Sequence, residues 1–310
     1  SPQGKKIYMI AFVIGIGIPL GIIFLLNLLR FRIEGHTDVE KLTKVPIIGD
    51  IPLTGSNKHE ESAIAVREND NDIMTETFRS LRTNLLFMMG DPDKKVVLVT
   101  STISGEGKTF IASNLALSLA LLGKKVILVG LDIRKPGLNK LFHLSHKEKG
   151  ITQYLAAPKS TDLHALIQPS GITSNLDLLL GGPIPPNPTE LLARQSLEDT
   201  ISTLRKEYDY IVLDTAPIGM VTDTAIIGRV ADMCVYVCRA DVTPKAGFSY
   251  INVLRRERKF PKLATVINGL DMTKRKNSYG YGYGKKYGYG KGYGYGYGYG
   301  YGFEAGDKKK

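Results

Sequence analysis

A chain of 310 residues with 43% hydrophobic side chains has the composition of an ordinary globular protein, enough for one substantial domain plus appendages. The net charge of +11 comes from scattered basic residues with no nucleic-acid-binding motif among them, so nucleic acid is not an expected partner. The two cysteines, Cys234 and Cys238, both fall in the run MCVYVC. If that run is a strand they sit on one face about 13 Å apart, which excludes a disulfide and reads as reduced core thiols in a cytosolic compartment.

Residues 7–29 are apolar apart from Tyr8 and Asn27, and as a helix they span about 34 Å, the thickness of a bilayer core. Gly15, Gly17, Gly21 and Pro19 would weaken a helix in water but are common in membrane spans. Lys5 and Lys6 flank one end and Arg30 and Arg32 the other, so charge leaves the orientation open. Residues 30–70, interrupted by VPIIGDIP, have little apolar periodicity and are expected to form a linker.

In ETFRSLRTNLLFMM the residues Phe78, Leu81, Leu85 and Met89 recur at helical spacing, which puts Glu76, Arg79 and Arg82 together on an exposed face. From Val96 onward short apolar runs alternate with amphipathic helices. The expected strands are Val96–Thr100, Val126–Gly130, Leu176–Leu180, Tyr210–Asp214, Met233–Cys238 and Ala264–Asn268. Continuous apolar runs separated by helices predict an α/β domain over 71–276, with a mostly parallel sheet covered by helices on both faces.

After Asn277 the composition changes. Tyr279, Tyr281, Tyr283, Tyr287, Tyr289, Tyr293, Tyr295, Tyr297, Tyr299 and Tyr301 alternate largely with glycine, so ten of the chain's 16 tyrosines lie in this tail. Glycine at every second place removes one layer of side chains and adds entropy, so 277–310 is expected to be disordered.

The strand VVLVT runs into STISGEGKTF and then a helix, the context of a phosphate-binding loop. Ser104, Gly105, Glu106, Gly107, Lys108, Thr109 and Phe110 are the expected nucleotide-binding residues. Lys108 is assigned to the β and γ phosphates and the Thr109 hydroxyl to Mg2+. The usual glycine six residues before the lysine is Thr102 here, so the triplet alone is weak and the context carries it. Two later strands end in carboxylates: VILVGLDIRKP in Asp132, followed by Arg134 and Lys135, and YDYIVLDTAP in Asp214. Strand ends of a parallel sheet share one edge, where two carboxylates and a threonine hydroxyl suit an octahedral Mg2+.

SGEGKT, LDIRKP and YIVLDTAP, in that order, resemble the Walker A, Walker A′ and Walker B motifs of the bacterial tyrosine kinases, P-loop proteins of the same broad class as the MinD and ParA ATPases. The resemblance extends to the membrane helix, VPIIGDIP, ETFRSLR, GGPIPPNPTELL and the tyrosine-rich end. It implies an inner-membrane protein in which residues 1–6 end an extracytoplasmic region and a cytoplasmic kinase domain uses ATP and Mg2+ to phosphorylate the ten tail tyrosines in trans. It further implies a homo-oligomeric ring held by Glu76, Arg79 and Arg82. Membrane lipid, a cognate tyrosine phosphatase and the machinery that polymerises and exports capsular or extracellular polysaccharide are the implied partners. Arg239 and Asn268 follow later strands, where such proteins commonly contact the base.

One position departs from the family pattern. Walker A′ usually carries two acidic residues, and the first is Gly130 here, so the proton-accepting role passes to Asp132, to Asp214 through water, or to nothing; Asp132 is the residue assigned. Lys108, Asp132 and Asp214 are therefore the expected catalytic residues, and Thr109, Asp132 and Asp214 the expected metal ligands. A membrane-bound Min or ParA-like ATPase and a non-catalytic regulator of polysaccharide chain length compete with this reading. So does a tail that serves as a stacking platform for single-stranded nucleic acid or glycan.

Overall fold

The computed structural model describes residues 3–28, 31–53, 64–68, 72–144 and 149–271. The tail tyrosines from Tyr279 to Tyr301, and the disorder expected around them, lie outside the described residues.

The first helix, α1 (Gln3–Leu28), contains a stretch, Gly4–Gly21, long and apolar enough to cross a bilayer. Its apolar side chains from Ile7 to Leu20 are not covered by the rest of the chain.

Eight strands make one sheet: β1 (Ile47–Pro52), β2 (Val96–Ser101), β3 (Val126–Gly130), β4 (Ile167–Pro169), β5 (Leu176–Leu179), β6 (Tyr210–Asp214), β7 (Met233–Arg239) and β8 (Leu263–Leu270). Their order is β1-β8-β7-β2-β6-β3-β5-β4. Every neighbouring pair is parallel except β4 on β5. The six expected strands are all present, and all side chains of β2 and β3 are buried, as a sheet covered on both faces requires.

Strand alternation divides each apolar run between two cores. Val97 and Val99 of β2 join Phe78, Leu81 and Leu85 of α3 (Ile73–Met89) and Ile111 and Leu115 of α4 (Lys108–Ala120). Val96 and Leu98 face the opposite core, with Leu197, Ile201 and Leu204 of the helix Gln195–Glu207. Helix α4 has no charged residue after Lys108 because it lies between the sheet and α3, and every residue from Ile111 to Ala120 is buried.

Two expectations are corrected. The span 30–70 is not simply a linker. Ile33 is fully buried, a short helix α2 (His36–Leu42) buries Val39, and VPIIGDIP forms β1, the edge strand beside β8. Ile48 and Ile51 of β1 pack against α3, the Asn84 amide donates to the Ile48 carbonyl (2.8 Å), and Gly49 leaves room for Leu81, whose Cδ1 lies 2.9 Å from where a Cβ would stand. The second correction concerns α3. Glu76 and Arg79 pair with each other, but the part-buried Arg82 reaches across to α4 and donates to the Ser118 carbonyl (2.6 Å). Burial, ahead of the neighbouring Arg79, lowers its guanidinium below the ordinary arginine value.

Candidate active site

The C-terminal ends of β2, β3 and β6 meet at one edge of the sheet. β2 leads into the loop 102–107 and α4, whose N-cap Gly107 has φ 91° while Gly105 has φ 87°. Both conformations favour glycine, and a Cβ on Gly107 would overlap the Asn268 amide. The loop thus runs directly into the N-terminus of α4, whose first N–H groups have no partner within the helix, the arrangement that binds phosphate.

Four side chains converge there. Lys108 Nζ lies 2.9 Å from Asp132 Oδ2, both largely buried. The Thr109 hydroxyl donates to Asp214 Oδ1 at 3.1 Å. The backbone fastens the two carboxylate-bearing strand ends together, because the Asp214 carbonyl accepts from the N–H groups of Leu131 (2.8 Å) and Asp132 (3.0 Å). Asp132 Oδ1 accepts from Lys135 N–H (3.1 Å), which holds the carboxylate at the start of the next turn. Burial pushes the Asp214 carboxyl up to about 6; Lys108 and Thr109 pull against that and Asp132 adds to it.

No group of three or more His, Cys, Asp or Glu that could hold a metal exists among the described residues. Mg2+ bound together with nucleotide phosphates needs only one or two carboxylates and keeps several waters. The all-oxygen set of Thr109, Asp132 and Asp214 fits that demand.

The remaining expected residues are placed less uniformly. The Glu106 carboxylate is fully buried and accepts from the Ile103 N–H (2.8 Å) and the Thr243 hydroxyl, so it braces the loop from inside and only its backbone is left for a phosphate. Burial raises its pKa despite those hydrogen bonds. Phe110 stacks edge-on against Phe78 of α3, ring centres 5.7 Å apart. Arg239 donates to the Gly105 carbonyl (3.1 Å) and Asn268 to the Glu106 carbonyl (2.9 Å), which places both against the loop. Ser104 is exposed on the loop.

Sequence reasoning missed a clamp. Arg134 of LDIRKP makes a two-pronged contact with the buried Asp223, 2.6 Å from Nε and 3.0 Å from Nη2, and Nη2 also donates to the Thr189 hydroxyl (2.8 Å). Thr189 in turn donates to Asp223 (2.8 Å). Burial alone would raise the Asp223 carboxyl, yet the hydrogen bonds from Arg134 and Thr189 hold it below its ordinary value. The clamp joins Walker A′ to PPNPTELL, two motifs that the sequence displays without any sign that they touch.

Gly130, where the family pattern has an acid, pairs with Asp214 across β3 and β6. A Cβ there would come within 3.1 Å of both the Gly181 backbone nitrogen and Leu138 Cδ1. The closeness of the Gly181 backbone favours glycine at this point.

The family model described as "AAA domain" matches residues 94–256. The chain is 35% identical over 224 residues to the tyrosine-protein kinase YwqD of Bacillus subtilis, covering 72% of this chain and 92% of that protein. It is 32% identical over 295 residues to a Klebsiella pneumoniae protein of the cps region, but spans only 40% of that protein's length. The solved kinase domain of the Escherichia coli tyrosine kinase ETK superposes with a TM-score of 0.67 at 28% identity, over 80% of this chain and 97% of that one. With the phosphate-binding loop and two carboxylate-tipped strands at one sheet edge, these likenesses place the chain in the bacterial tyrosine-kinase family.

Proposed function

We propose that this chain is a membrane-anchored autokinase that uses MgATP to phosphorylate the tyrosines of its own tail, Tyr279 to Tyr301, between neighbouring copies. The observation that carries the reading is the convergence of Lys108, Thr109, Asp132 and Asp214 at one sheet edge.

In this reading the loop N–H groups and Lys108 hold the β and γ phosphates, while Thr109, Asp132 and Asp214 hold the magnesium water shell. Mg2+ supplies charge neutralisation on the phosphates when bound. The incoming tyrosine Oη forms a bond to the γ phosphorus, the bond to the bridging oxygen breaks, and ADP leaves. Asp132 takes the phenol proton. A tyrosine hydroxyl titrates near 10, so a positioned acceptor lowers the barrier. Lys108 neutralises Asp132 while the two are paired; moving the lysine onto phosphate releases the carboxylate for that task.

Glu76 and Arg79 contribute to a subunit contact in a ring, with Arg82 fixing α3 to α4 behind them. The ring belongs to the inner membrane with the kinase domain in the cytoplasm, acts with the polysaccharide polymerisation and export machinery, and is reset by a tyrosine phosphatase. Each phosphate adds about −1.5 to −2 charges, so multiple phosphorylation drives the tails apart and loosens the ring.

The deciding experiment is mass spectrometry of the tail after incubation with MgATP, comparing wild type with Lys108→Met. Phosphotyrosine in the wild type alone supports the proposal. Free phosphate without tail label would favour a Min or ParA-like ATPase, and absence of both a non-catalytic regulator of chain length.

A further inference from the structure

At the opposite edge of the sheet, by the N-terminal ends of β1, β8 and β7, lies a cavity of about 580 Å3. Val45, Phe260 and Leu263 give it apolar walls, and Lys44, Arg255, Arg258 and Lys259 line it with charge. Gly228 makes space for the Phe260 ring, which would lie 2.8 Å from a Cβ at that position.

The cations differ in how far they are engaged. Arg229, also in the lining, is spent on Glu198 (2.8 Å) and on the carbonyls of Ile226, Leu192 and Arg194. Lys259 shares its charge with Glu257 at 3.5 Å. Lys44, Arg255 and Arg258 meet no carboxylate among the described residues, and all three are exposed.

Arg258 carries a second observation. It lies just beyond the cap of the helix Ile251–Arg256, with φ 50°, while Lys259 N–H donates to the Leu254 carbonyl (3.0 Å). This helix ending favours glycine, because a side chain strains the left-handed conformation. The chain instead has an arginine there, and that residue lines the cavity.

We infer that this cavity binds a phosphotyrosine from the tail of another copy of the chain. Apolar walls suit the ring and unpaired guanidinium groups suit the phosphate, where bidentate hydrogen bonds are strong. Glycine on both sides of most tail tyrosines removes neighbouring side chains that would block entry. The inference rests on the autokinase reading for the source of the phosphate. Docked tails hold phosphorylated copies together at the sheet edge remote from the nucleotide, which opposes the loosening by charge and caps its extent.

The test uses the full chain in detergent and a fluorescent synthetic peptide of tail residues 292–302, with and without phosphate on Tyr297. Binding of the phosphopeptide at least tenfold tighter than the plain peptide is expected. Arg258→Gly and Lys44→Ser should each weaken it threefold or more, with Arg258→Gly leaving the melting temperature unchanged or higher because it relieves the backbone. Equal binding of both peptides, or full affinity in both variants, overturns the inference. So does inorganic phosphate competing as well as free phosphotyrosine, or phosphatidylglycerol vesicles that displace the peptide and lose binding in the variants. Because the peptide is phosphorylated by synthesis, the assay stands even if Lys108→Met shows that the autokinase reading fails.

Discussion

The two edges of the sheet are both rich in charge but treat it in opposite ways. At the C-terminal edge Lys108, Asp132, Asp214, Arg134 and Asp223 each have a specific partner and most are buried. At the N-terminal edge Arg229 is engaged by Glu198 and three carbonyls, but Lys44, Arg255 and Arg258 stand in solvent around an open cavity. Buried charges are held in place by the cost of leaving them unpaired, so their geometry is set before a ligand arrives. Solvated ones spend little on pairing and keep their charge available. A site for chemistry needs the first arrangement, and a site for docking tolerates the second.

The comparison breaks first at Lys108. Lys108→Met removes the cation assigned to the phosphates and takes away the ion-pair partner of Asp132, so tail phosphorylation should fall more than about 100-fold in a labelled-ATP assay. Asp132→Asn should cost a similar factor in kcat while nucleotide affinity, read by titration of a fluorescent ATP analogue, changes less than about threefold. A fully active Asp132→Asn enzyme would refute the assignment of the base.

Stability sharpens the contrast. The Asp214 carboxyl ordinarily titrates at 3.8 and in the fold near 6, so the folded state holds its proton more tightly. That stabilisation is complete below pH about 4 and is lost as the pH climbs to about 6, amounting to about 3 kcal/mol. Urea melts of metal-free wild type and Asp214→Asn should therefore diverge across this window, and parallel pH profiles would contradict it. Asp223→Ala should cost about 2 kcal/mol by the same measurement, since Thr189 and Arg134 lose their common acceptor. Smallest is Gly130→Ala, about 1 kcal/mol, from crowding against Gly181 and Leu138. If alanine is neutral there, the missing acid has no steric basis.

Much of the catalytic edge was legible because its signals are local. Strand, glycine loop and helix follow one another within a few turns of chain, and continuous apolar runs announce strands buried on both faces. VPIIGDIP gave no comparable signal: it is short, broken by Pro46, Gly49 and Pro52, and becomes a strand only because β8 offers it a parallel edge. Arg82, read as part of an exposed face, found a carbonyl on a different helix. Arg239 and Asn268 were expected near the nucleotide and lie against its loop, but the carbonyls they hold were not foreseeable.

What the sequence by itself determined is the six strands from Val96 onward, their order along the chain and the chemistry at their tips. Periodicity and the conformational limits of glycine act over a few residues, and the chain spells those out. Tertiary structure alone decided which groups became partners: Lys108 with Asp132, Arg134 with Asp223 and Thr189, Glu106 turned inward, and three cations left facing water. Such choices depend on distances between segments far apart in the chain, and on whether burial makes an unpaired charge too costly to keep.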